Sequence, residues 1–229
     1  MSLTLFLLLL KILHIGAGST ALILGTIAYV LRRKTKKHRP VGRLYFWSMM
    51  VVVATTFPMA WFSQNWFLFM VGIFTFHMSL TGYRSVFLKE IHLGKKPGWG
   101  DWLVEVVTGV SSLMLLGLGI YLLMQQNITL GTIASVFGGI GLFLVSLNVG
   151  RFLGQIVYRQ YALMAHVTGM LGSYAGAWTA FLANNAWKWG VPDIITWLAP
   201  TVVITVMIAT ERWKLKALGR LNLQKPKPA

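Results

Sequence analysis

The chain has 229 residues, of which 56% are hydrophobic and only 11% charged, less than half of the roughly 25% that covers a soluble domain. That shortage excludes a water-soluble globule, and the lack of cysteine excludes disulfides, iron–sulfur clusters and thiolate zinc sites. The 21 Lys and Arg against 5 Asp and Glu give a formal net charge of +16, but the bases sit in short segments beside apolar runs, which argues for anionic lipid headgroups as partner and against nucleic acid.

The first apolar run, Leu3–Leu31, has no basic segment ahead of it and continues well past the length of a signal peptide, so it predicts a membrane span. A basic loop, RRKTKKHRPVGR, follows it. Further spans are predicted at Leu44–Ser63, Trp66–Leu88, Trp102–Gln125, Ile128–Gly150, Tyr161–Asn184 and Ile194–Thr210. The loops after the third and fifth spans, KEIHLGKKPGWGD and RFLGQIVYRQ, are basic, as is the C-terminal end. The opposite loops carry one Lys and one Asp between them. All basic segments fall on one side only if the number of spans is odd and the N-terminus lies outside. The expectation is an all-α polytopic transmembrane helix bundle of about seven spans. Residues 1–212 form one membrane domain and residues 213–229 a basic cytoplasmic tail.

Trp47, Trp61, Trp66, Trp99, Trp102, Trp187, Trp189 and Trp213 lie near span ends, where indoles anchor in the headgroup layer. Gly172 and Gly176 form a GxxxG pair, and Gly138, Gly139 and Gly141 a second smooth patch; in lipid, small residues mark helix contacts. Pro58 and Pro200 fall inside spans two and seven.

Ionisable groups within a membrane are costly and therefore mark candidate sites. They are Lys11 and His14 on the first span, His77 and Arg84 on the third, Glu105 on the fourth, Arg151 at the end of the fifth and His166 on the sixth. Counting from Arg32, Lys89 and Gln160 places His14 about 27 Å, His77 about 18 Å and His166 about 9 Å from the basic side. Two axial ligands of one haem share a depth, so these offsets allow one bis-histidine haem and argue against a relay of two. The alternative use of a membrane histidine is a hydrogen bond to a neighbouring helix. A second constellation, Arg84, Glu105, Asn148, Arg151 and His166, falls within a few turns of the inner surface and is expected to line a water-filled pocket. There Glu105, the only intramembrane acid, needs a partner, and Arg84 or Arg151 lies at suitable depth. No HxxxH or HExxH spacing points to a metal centre, and no GxSxG, P-loop or dinucleotide glycine pattern is present.

The segment LHIGAGSTALILGTIAYVLRRKTKKHRPVGRLYF resembles an uncharacterised family of bacterial integral-membrane proteins, a catalogued domain of unknown function. The carrying residues are His14 and Gly18, then His38, Arg39, Gly42, Arg43 and Tyr45; TGYR at Thr81–Arg84 and the stretch from His166 to Asn185 are similar to the same family. The resemblance implies a multi-pass helical fold in a bacterial inner membrane and no established activity. It emphasises His14, His38, Arg43, Arg84 and His166, and holds no counterpart of His77.

Three functions fit these residues. The first, and the leading expectation, is a membrane redox protein holding a b-type haem or a quinone through two of His14, His38, His77 and His166. The second is a carrier or receptor for a small anionic or lipid-like molecule, using Arg84, Arg151 and His166. The third is an accessory subunit, its glycine faces turned outward against a larger membrane complex.

Overall fold

The computed structural model describes residues 2–155 and 160–217. It contains seven long helices: α1 Leu3–Val30, α2 Thr35–Phe62, α3 Trp66–Arg84, α4 Trp99–Met124, α5 Ile128–Phe152, α6 Tyr161–Asn185 and α7 Asp193–Ala217. Short 3-10 turns lie at Ile91–Leu93 and Ala186–Trp189, and no strand occurs among the described residues. Six of the helices are long and apolar enough to cross a bilayer. The seventh, α6, has 25 residues but carries His166, Ser173, Asn184 and Asn185, which dilute its hydropathy. The protein is therefore an all-helical polytopic bundle.

Two connections are tight for the same local reason. Gln64 and Gln126 adopt positive φ values of 54° and 61°. Each ends a helix in the left-handed conformation and delivers the next residue, Asn65 or Asn127, as an N-cap. The cap side chains accept hydrogen bonds from Leu68 N at 3.0 Å and Leu130 N at 3.3 Å, while their own N–H groups donate back to the carbonyls of Ala60 and Leu122. Helices α2–α3 and α4–α5 thus become hairpins with almost no loop.

The helices bury two cores. Ala21, Tyr45, Met49, Leu171, Tyr174 and Ile204 join α1, α2, α6 and α7; Met70, Phe74, Met78, Leu115, Ile133 and Phe137 join α3, α4 and α5. Outward faces are apolar instead of polar, with Ile23, Val110, Phe143 and Val202 among the exposed side chains, the pattern expected where lipid is the solvent. The cores meet along α3 and α6, which run antiparallel: Gly82 faces Gly169, Met78 faces Gly172 and Thr75 faces Gly176. Gly138 and Gly141 face Leu116 and Ser112 of α4. These glycines are used within the chain, against the outward placement that the accessory-subunit expectation needs; a Cβ on Gly139 would meet nothing within 4 Å.

Helix ends differ from the sequence expectation. Helix α2 starts at Thr35, nine residues before Leu44, so most of the basic loop forms its first turns. Lys and Arg are good helix formers, and counting apolar residues marks where a helix enters lipid, not where it begins. Likewise α7 runs on to Ala217, which places residues 213–217 of the expected tail in the helix; residues 218–229 lie outside the described residues. Helix α3 ends at Arg84, so counting His77 from Lys89 overstated its depth: seven residues from the helix end correspond to about 10 Å.

Candidate functional site

At the basic end of the bundle, α3, α4 and α5 enclose a cleft of about 360 Å³. Its polar lining comes from Thr81 and Arg84 on α3, Asp101 and Glu105 on α4, and Asn148 and Arg151 on α5. Leu80, Leu88, Val104 and Phe152 make the rest mainly apolar, and Trp99, 82% exposed, stands at its mouth.

Asp101 is fixed by its own helix. It occupies the third position of α4, where Oδ2 accepts the backbone N–H of Gly98 at 2.9 Å, and the helix N-terminus favours a negative charge there. Arg84, the last residue of α3, clamps both oxygens, Nε to Oδ1 at 2.5 Å and Nη2 to Oδ2 at 2.8 Å. This planar fork neutralises both groups and pins the end of α3 to the start of α4.

One turn further along α4, Glu105 is only 1% exposed, as is its partner His77. Glu105 Oε2 lies 2.9 Å from His77 Nε2, and Oε1 accepts from Asn148 Nδ2 at 2.9 Å. His77 Nδ1 is buried and has no hydrogen-bond partner among the described residues. Counting bonds assigns the protons. An imidazolium, or a neutral ring carrying its proton on Nδ1, would leave a buried donor unmet, whereas a ring protonated on Nε2 leaves only a lone pair unmet. His77 Nε2 therefore donates to Glu105 Oε2.

Arg151, 4% exposed, donates through Nη2 to the carbonyl of Leu88 at 2.6 Å and lies 5.3 Å from the centre of the Tyr161 ring. Among the described residues no carboxylate lies within 4.0 Å of it. The cleft thus holds one internally neutral pair, one buried carboxyl group that accepts from His77 and Asn148, and one buried guanidinium with no carboxylate in reach among the described residues.

The structure unites Arg84, Glu105, Asn148 and Arg151, as their depth suggested, and adds two residues. Asp101 was legible, since it lies four residues before Glu105 on one helix face. His77 joins from α3, facing α4; depth alone gave no such pairing. His166 does not line the cleft, because it projects toward α2. Its Nδ1 donates to the carbonyl of Gly82 at 3.0 Å, and its ring lies 6.1 Å from that of His38, almost perpendicular to it. His38, in the first turns of α2, donates Nδ1 to the carbonyl of Ala28 at 3.0 Å. His14 is separate from both groups, with Nδ1 2.9 Å from Thr55 Oγ1. Of the four histidines expected to serve a cofactor, His38 and His166 are brought together, while His77 is engaged by Glu105 and His14 by Thr55.

No protein-family model matches this chain, and no curated protein or solved structure matches it.

Proposed function

We propose that this protein is a membrane carrier or receptor for a small organic anion with an apolar body, bound in the cleft between α3, α4 and α5. The observation that carries this reading is Arg151: a buried guanidinium with no carboxylate within 4.0 Å among the described residues, on the wall of a mainly apolar cavity. A guanidinium recognises a carboxylate or phosphate head, and Leu80, Leu88, Val104 and Phe152 offer an apolar body its surface. A volume of about 360 Å³ lies at the small end of the range for small-molecule sites. The distribution of basic residues supports a cleft mouth on the cytoplasmic side; a bacterial inner membrane is what the family resemblance suggests. Thermal unfolding of the detergent-purified chain tests the reading. Benzoate or octanoate should raise the Tm saturably, with inorganic phosphate less effective, and Arg151→Gln should weaken binding at least tenfold. Stabilisation equal in wild type and Arg151→Gln would overturn it.

A second reading keeps a b-type haem, held by His38 and His166. It is supported by the closeness of the two rings and by the Nδ1 bonds to backbone carbonyls. That is the orientation of metal-ligating imidazoles, and it leaves each Nε2 available. A Soret band that sharpens on dithionite reduction and disappears in His38→Ala and His166→Ala would support it. Colourless protein from haem-supplied cells would overturn it.

A further inference from the structure

We infer that the cleft takes up its anion together with one proton, and that Glu105 is the group that receives it; this rests on the anion-binding reading above. Among the described residues, the charged and titratable groups that face Glu105 are His77 and Arg84 from α3, Asp101 on its own helix, Arg151 from α5 and Tyr161 from α6. Arg84 and Asp101 cancel within their fork. We take the free cleft as electrically neutral, with His77 and Tyr161 uncharged and an ionised Glu105 offsetting Arg151, since both line the same cavity. A monoanion entering beside Arg151 leaves one uncompensated negative charge, and because Glu105 is only 1% exposed that is a costly state. One proton on Glu105 restores neutrality.

Proton counting shows why Glu105 receives it instead of His77. Protonation of His77 at Nδ1 would create a buried cationic donor at an atom that has no partner. Glu105 has a ready alternative, because Asn148 carries both a donor and an acceptor on one amide. In the free state the Asn148 amide N–H donates to Oε1. Rotated by half a turn, its carbonyl accepts the new O–H of a carboxylic acid at Oε1, while Oε2 continues to accept from His77 Nε2. Both protonation states are then satisfied without movement of the helices. The step forms one O–H bond with a proton from bulk water, and no electron is transferred.

The test uses the full detergent-purified chain, benzoate as probe and a weakly buffered solution containing a pH-indicator dye, between about pH 6 and 9, where benzoate and similar carboxylates stay ionised. Wild type should take up close to one proton per bound benzoate at the alkaline end, and its affinity should fall toward tenfold per pH unit there. Glu105→Gln preserves both hydrogen bonds and mimics the protonated state, so it should bind benzoate with no proton uptake and with an affinity indifferent to pH. An infrared difference spectrum of wild type with and without benzoate should show a new protonated-carboxyl band that moves on 13C-glutamate labelling, a readout that does not depend on the variant folding. Benzoate binding by wild type without proton uptake would overturn the inference alone, as would undiminished uptake in Glu105→Gln or absence of the infrared band. No benzoate binding by wild type at any pH would overturn the anion reading and this inference together.

Discussion

Gly82 and Gly169 place the backbones of α3 and α6 in direct contact: a Cβ on Gly82 would fall 2.8 Å from the carbonyl carbon of Gly169, and one on Gly169 2.5 Å from Gly82 Cα. The same Gly82 carbonyl accepts the Nδ1 proton of His166. Helices in lipid associate through packing of this kind, and here the contact joins the two cores. Gly169→Ala should therefore destabilise the protein by about 1–3 kcal/mol through overpacking against backbone that cannot yield. Gly139→Ala, on an open face, should leave the Tm unchanged. Unfolding of both variants in the same detergent checks the contrast.

The Arg84–Asp101 fork joins two helix ends, but the Arg84 side chain is 43% exposed. Arg84→Lys keeps the charge and loses the paired geometry, so it should cost no more than about 1 kcal/mol. Asp101→Ala also removes the acceptor of the Gly98 N–H and should cost about 2 kcal/mol. Equal losses in the two variants would refute the capping role of Asp101.

Tyr45 is buried between α2 and α6, and its hydroxyl lies 2.8 Å from Ser173 Oγ. Tyr45→Phe should lower stability by about 1 kcal/mol. The loss stays moderate because Ser173 retains its bond to the Met170 carbonyl. A Tm equal to wild type would show that this bond contributes nothing net.

Arg32, in the linker after α1, donates to Glu211 of α7 at 3.0 Å and covers the Tyr29 ring at 4.0 Å. The hydrogen bond to Glu211 raises the pKa of the Arg32 guanidinium above its ordinary value. A cation held in this way stabilises the fold at every pH below its unfolded-state value and loses that contribution only as pH rises through the folded one, far into the alkaline range. Glu211→Gln should consequently lower stability by about 1 kcal/mol, equally at pH 7 and at pH 9. A loss that differs between the two would contradict a contribution carried by the Arg32 charge.

What could be read in the sequence was whatever depends on composition and on position along a line. The scarcity of charge made lipid the solvent, the spacing of apolar runs gave seven helices, and the clustering of Lys and Arg gave the bundle two unlike ends. Depth followed as well, since rise per residue is fixed, and it placed Arg84, Glu105, Asn148, Arg151 and His166 within a few turns of the inner surface. The direction in which a side chain points around its helix could not be read in the same way. A shift of one residue turns a helix by about 100°, and neighbours are chosen by packing. For that reason only the tertiary structure decided that His77 faces Glu105, that His166 turns from the cleft to His38, and that Gly138 and Gly141 face α4 while Gly169, Gly172 and Gly176 face α3. Gly82 against Gly169 brings two backbones together and, with them, the Gly82 carbonyl and His166.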